Sequence, residues 1–231
     1  MPTLLPVSAP VSAPVPSPSA PLSAPARWPA AWARLGFRAR FGLVWGLIAG
    51  LVAVVPGFYG FVQGRPGAHL ADPLLALLPA HDVSGPTFAL IYGSSLATLA
   101  WLLPRPQLLL RGLWAYVLLQ ALRMAVLWLV PLEPPAGLLL LHDPFMDHVF
   151  GAAASARPIV RDLFFSGHTA TLTLLALCVR GRAGRVALLL ATAAVGLLVL
   201  VQRVHYTYDV LAAPPFAGLA YWLAGRVCRQ Q

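Results

Sequence analysis

The sequence predicts an all-α protein, an integral membrane bundle of about six transmembrane helices. Three observations lead there. Of the 231 residues, 59% are hydrophobic and 10% are charged, against about 25% charged in an ordinary soluble domain. The apolar residues fall in long runs separated by short polar or arginine-bearing stretches. Those runs do not alternate apolar with polar residues, as the strands of a membrane barrel do. A bilayer core holds no water to satisfy backbone groups, so spans are helices or closed barrels. Unalternated runs of this length are helices.

Residues 1–26 are Pro, Ala and Ser with scattered Val and Leu, and no charge precedes Arg27. Proline recurs too often for a helix, and nothing here can bury a core. The basic n-region and continuous h-region of a secretory signal are both missing. Arg27, Arg34, Arg38 and Arg40 follow, with Trp28 and Trp32 among them, which suits an interfacial segment. Residues 1–40 therefore read as a disordered, then basic, N-terminal tail, and 41–231 as one membrane domain.

The six spans follow in order. The first runs over Phe41–Val62, with Pro56 as an expected kink. The second is Thr87–Leu103, and the third Leu108–Val130, which carries Arg123. Residues 131–161 form the longest loop. The fourth span is Leu163–Val179, the fifth Val186–Val201, and the sixth Tyr208–Val227 with a Pro214-Pro215 kink. Cys178 and Cys228 make neither a disulfide framework nor a metal motif and read as small packing residues.

The net charge is +9, and all 16 basic residues are arginine. These arginines flank apolar spans, so membrane topology explains them and nucleic acid is not an expected partner. With an inside N-terminus, Arg27, Arg34, Arg38, Arg40, Arg105, Arg111, Arg180, Arg182, Arg185, Arg226 and Arg229 fall inside, and Arg65, Arg157, Arg161 and Arg203 outside. That excess places both termini in the cytoplasm. A composition rich in Ala, Leu, Arg and Pro without lysine points to a GC-rich bacterial genome, hence an inner membrane with a periplasmic outer face.

Two polar stretches then share the outer face: Arg161-Asp162-Leu163-Phe164-Phe165-Ser166-Gly167-His168-Thr169 and His205-Tyr206-Thr207-Tyr208-Asp209. Ionisable residues at the edge of spans are costly and read as functional. His205 and Asp209 are one helical turn apart, so the carboxylate can set the imidazole tautomer. Gly167 permits close backbone approach, and with Ser166 at a helix head it offers N–H groups to an anion. A second histidine, His168, can protonate a leaving alkoxide. Together these fit phosphoester chemistry through a phospho-histidine. Asp162 reads as a cap of the fourth helix. His142, Asp143, Asp147 and His148 are ligand-type residues, but their spacing fits no metal site and they read as loop polarity. No metal or cofactor is expected.

Asp162-x-x-x-Ser166-Gly167-His168-Thr169 followed by His205-Tyr206-Thr207-x-Asp209-Val210 resembles the paired motifs of the sphingomyelin synthases. More broadly it is similar to the type 2 phosphatidic acid phosphatase superfamily. Gln120, Arg123, Met124, Pro131, Leu132 and Pro134 resemble the synthases' arginine-containing span and its exit. The resemblance covers roughly residues 110–227 and implies a six-helix bundle with a metal-independent site. It implies His205 as nucleophile, Asp209 as its orienting group, and His168 as the acid that later activates the acceptor.

Two departures bear on the substrate. Val160-Arg161, not Cys-Gly, precede Asp162, and Val199 stands where the phosphatases carry an arginine six before the histidine. Phosphate charge then falls to Arg123, Arg157, Arg161 and Arg203, since guanidinium matches phosphate oxygens. The expected partners are a membrane phospholipid and a lipid alcohol or water as acceptor. The expected activity is that of a lipid phosphotransferase. The alternatives are a lipid phosphate phosphatase or a non-catalytic lipid-binding membrane protein. A transporter ranks last, because its site would lie near the midplane.

Overall fold

The computed structural model describes residues 28–143 and 159–229. Among them are eight helices: α1 (Trp28–Trp32), α2 (Leu35–Gln63), α3 (Pro73–Ala76), α4 (Ser84–Leu102), α5 (Pro106–Leu129), α6 (Gly167–Cys178), α7 (Arg182–Val201) and α8 (Thr207–Cys228). The described residues include no strand; a single parallel bridge pairs Ala68 with Leu132. The all-α expectation holds.

Three helices, α2, α5 and α7, are long and apolar enough to cross a membrane. The other three expected spans fall short for identifiable reasons. Ser84, Thr87, Ser94, Ser95 and Thr98 dilute α4, and Asp209 with two prolines dilutes α8. α6 has only 12 residues, because residues 161–166 enter it without helical structure. Both α2 and α8 run through their internal prolines.

The tail boundary at residue 40 needs correction. Residues 28–40 hold α1 and the start of α2, and aromatic packing is the reason. Trp28, Trp32, Phe37 and Phe41 form one cluster, with Trp32 and Phe41 centroids 5.3 Å apart. The Trp28 indole donates to Leu103 O at 2.8 Å. Residues 1–27, with the disorder expected for most of them, and 144–158, with Asp147, His148 and Arg157, lie outside the described residues.

The largest core lies where α5, α6 and α8 meet. On α8, Ala213, Ala217, Ala220 and Ala224 are all fully buried. Their spacing puts them on one helix face. In a membrane, helix association rests on close van der Waals packing rather than on expelling water. A seam of alanines lets α8 approach α5, its most extensive neighbour, and α6. Phe165 stacks on Phe216 at 4.3 Å and closes the upper end of this seam. Large apolar residues such as Val52, Leu96, Leu190 and Leu211 point outward and are exposed, the pattern of a surface bathed in lipid. α7 runs back along α6: Leu188 packs on Ala176, and Val195 and Val199 on Leu172.

Candidate active site

The two histidine stretches meet because a helix head and a helix turn are tied together. Ser166 caps α6, its Oγ accepting from the Thr169 amide at 3.5 Å and from the Thr169 hydroxyl at 3.1 Å. The helix head is therefore set by Ser166. Asp162, expected as a cap, is instead an ion-pair partner of Arg123 at 2.9 Å. The other stretch follows α7. That helix ends with Arg203 at φ 58°, the Arg203 amide donating to Leu200 O at 2.9 Å and the Val204 amide to Val199 O at 3.1 Å. This is a Schellman-type stop with arginine where glycine is usual. It reverses the chain so that His205 points back toward α6. α8 then starts at Thr207, and the Asp209 carboxylate accepts from the Tyr206 amide at 2.9 Å. The Ser166 amide donates to Asp209 O at 3.1 Å and joins the two stretches.

Within this frame His168 and His205 face each other, ring centroids 6.4 Å apart with planes crossed at 68°. His205 Nδ1 lies 3.4 Å from Asp209 Oδ2, both side chains almost wholly buried. The contact is close enough for charge interaction but is not aligned as a hydrogen bond. Phe88 of α4 packs edge-on against His168 at 6.0 Å. His168 Nδ1, His205 Nδ1 and Asp209 Oδ1 are buried with no hydrogen-bond partner among the described residues. Such atoms are costly and rare, and here three lie in one place.

The arginines expected at phosphate are distributed differently. Arg123 is buried beneath the α6 head. Its guanidinium donates to Phe165 O, to Asp162 O at 2.7 Å and to Asp162 Oδ2 at 2.9 Å. A Cβ on Gly167 would sit 2.9 Å from Arg123 Cζ, so glycine is what lets the guanidinium lie against the turn. Arg161 is held by Glu133 at 2.8 Å and donates to Gln63 O and Arg65 O, both at 2.7 Å. Arg203 donates to Ala136 O at 3.0 Å and Leu78 O at 3.2 Å. Arg123 thus adjoins the histidine pair, while Arg161 and Arg203 tie loops around it. Arg157 lies outside the described residues.

The loops over the site carry residues that no motif flags. Asp72 caps α3 through the Leu75 amide at 3.0 Å and also takes the Thr207 amide at 2.6 Å and hydroxyl at 3.1 Å. Burial raises its pKa, but these donors together outweigh burial and hold it below the usual aspartate value. The Gly67 amide and the Arg161 pair likewise hold Glu133 low against a smaller desolvation penalty. Gln202, fully buried, accepts from the Val83 amide at 3.1 Å and donates to Ser84 Oγ at 2.8 Å, Leu140 O at 2.9 Å and Asp82 Oδ1 at 3.1 Å. The Tyr206 hydroxyl donates to Glu133 O at 3.0 Å and accepts from the Leu70 amide at 3.3 Å. These contacts join partners far apart in sequence, so spacing alone gives no sign of them.

Comparison with known families bears on this region. Residues 161–225 match the family model described as PAP2 superfamily, C-terminal. The PAP2 match begins at Arg161 and ends at Gly225, so it takes in both histidine stretches, α6, α7 and most of α8. No curated protein matches the chain. PAP2 proteins act on lipid phosphates, and a PAP2 match over this span is consistent with an enzyme of the phosphatase type.

Proposed function

We propose that this protein is a multi-pass membrane enzyme of the sphingomyelin synthase kind, moving a phosphate-bearing group from a phospholipid through a phospho-histidine. The observation that carries the proposal is the pair of facing histidines, 6.4 Å apart, with His205 buried and Asp209 against it. Two imidazoles so spaced can flank one tetrahedral phosphorus.

In the first step His205 Nε2 attacks phosphorus and the bond to the leaving lipid oxygen breaks. That oxygen takes a proton from His168. Asp209, beside Nδ1, holds the tautomer that leaves Nε2 free and balances the charge that forms. In the second step His168 removes a proton from the acceptor hydroxyl. The acceptor oxygen attacks phosphorus and the bond to His205 breaks. The amides at the α6 head and the Arg123 guanidinium beneath Gly167 favour the extra negative charge. Arg161, Arg203 and Arg157 belong to the proposal as further phosphate-binding groups, since guanidinium matches phosphate oxygens.

The proposed topology has α2, α4, α5, α6, α7 and α8 crossing the membrane, both termini cytoplasmic and the histidines on the periplasmic side. The arginine distribution supports it. A lipid phosphate phosphatase is the second reading, favoured by the breadth of the PAP2 match. The two differ only in whether water or a lipid alcohol takes the group.

The test uses purified protein in liposomes with EDTA, beside His205→Ala. One tube holds labelled phosphatidic acid, and the other phosphatidylcholine or phosphatidylethanolamine with diacylglycerol or ceramide. A new head-grouped lipid, lost in the variant, supports the transferase; free phosphate, lost in the variant, supports the phosphatase. No product in either tube overturns both.

A further inference from the structure

α4 and α7 do not close on each other along their full length. Between them lies a cavity of about 440 Å³, lined by Leu90, Gly93, Ala97, Trp101, Val179 and Leu188 among others. That volume is within the range of about 300–1,000 Å³ common to small-ligand sites. Gly93 and Ala97 of α4 line it together with Gly184 and Ala187 of α7, and these small residues make the recess. One end begins just below Phe88, which packs on His168. The other end, at Trp101, Val179 and Gly184, is at the foot of α6.

That lower end is rimmed by arginine. Arg105 lies over the Trp101 ring, 3.9 Å from its centroid. Arg185 donates to Val179 O at 3.3 Å and 3.2 Å. Arg180 and Arg182 are exposed in the turn between α6 and α7. Segments 103–112 and 179–188 contain no acidic residue. An apolar slot in a membrane-spanning surface, ending in several cations at one interface, is complementary to a molecule with an apolar chain and a negative head.

We propose that the α4/α7 groove binds one anionic glycerophospholipid from the leaflet at the Arg180 end. An acyl chain lies along Gly93 and Ala97, and the phosphate is held by Arg180 and Arg182, with Arg105 and Arg185 beside it. The site is separate from the histidine pair. It depends on the membrane reading of the helices and not on the proposed chemistry.

The test is native mass spectrometry of the full chain in nonionic detergent, titrated with phosphatidylglycerol or with phosphatidylcholine of the same chains. One phosphatidylglycerol is expected to be retained, at least about tenfold more tightly than phosphatidylcholine. A Cβ at Gly93 meets nothing within 4 Å, so Gly93→Leu is expected to fold, fill the groove and lose the lipid; Ala97→Leu is the second variant. Arg180→Gln with Arg182→Gln is expected to erase the head-group preference, and lysine at both positions to keep most of it. His205→Ala is expected to retain the lipid unchanged. Equal retention of phosphatidylcholine by the wild type overturns the proposal. So does undiminished retention of phosphatidylglycerol by both groove variants, or competition by glycerol phosphate at equal concentration. Loss of the lipid in His205→Ala also overturns it, because the bound molecule is then a substrate at the histidines.

Discussion

The Ser166 amide donates to the Asp209 carbonyl at 3.1 Å. A main-chain bond thus sets the spacing between the α6 head, which carries His168, and the α8 head, which carries the partner of His205. Side chains at the site can be exchanged without removing that bond, so substitutions there report on chemistry more than on fold.

His168→Ala is expected to reduce turnover by about 10²–10⁴-fold, the usual contribution of a positioned general acid. The loss should shrink when the natural lipid is replaced by a nitrophenyl phosphodiester, whose leaving group needs no proton. Equal losses on both substrates would remove His168 from the acid role.

Asp209→Asn keeps an oxygen that can accept from the Tyr206 amide, so α8 should still start where it does. The side chain no longer stabilises an imidazolium at His205. A fall in turnover of about 10²–10⁴-fold is expected, with little change in the thermal unfolding midpoint in detergent. A collapse of the midpoint instead would make Asp209 a folding residue first.

Arg123→Met removes the donors to Phe165 O and Asp162 O and leaves Asp162 without its cation. Arg123 is buried but Asp162 is a third exposed, so the cost lies mainly in the charge-assisted hydrogen bonds lost, about 3 kcal/mol or more in all. Denaturant unfolding of the purified protein should show a loss of that order. Gly167→Ala should cost less, about 1–3 kcal/mol for a methyl forced against a packed group. Part of that loss should return when Arg123 is shortened to lysine.

Asp72 provides an acid-sensitive fastening. Its carboxylate takes both donors of Thr207, and its pKa in the folded protein is depressed. A depressed folded pKa gives stability that is full above the unfolded value and is lost as pH falls through the folded one. Asp72→Ala is therefore expected to lower the unfolding midpoint at pH 7. The difference from wild type should narrow only below about pH 4. A difference that stays constant down to pH 2 would mean that the carboxylate charge is not what matters.

The helices were readable because a bilayer imposes a single solution on long apolar runs, so α2, α5 and α7 stand close to where hydropathy puts them. The meeting of the two histidine stretches was readable as well, since both sit at the same end of consecutive apolar helices. The environment of the arginines was not. A sequence shows that Arg161 and Arg203 are cations near the site. It does not show that carbonyls of Gln63, Arg65, Ala136 and Leu78 converge on them. Gln202 is the extreme case, a lone polar residue whose partners come from two distant segments, residues 82–84 at the head of α4 and the loop at Leu140. α1 was missed because its stability lies in ring-on-ring contacts with α2 and not in its own five residues.

The short length of α6 has a consequence for where catalysis would meet the bilayer. Thr169, near its head, lies beside Gly196 of α7, and α7 continues to Val201. At 1.5 Å per residue that is about 7 Å of further rise. The histidine pair is therefore sunk below the rim of the bundle, under the loops fastened by Asp72 and Gln202. Under the proposed membrane topology, a phosphate at the ordinary head-group level reaches the pair when the lipid descends or the bilayer dips around the protein. Thinning a membrane carries an elastic cost that grows with its starting thickness. Turnover in vesicles of short-chain lipid should then exceed that in long-chain vesicles of identical head group, making bilayer thickness a control on rate.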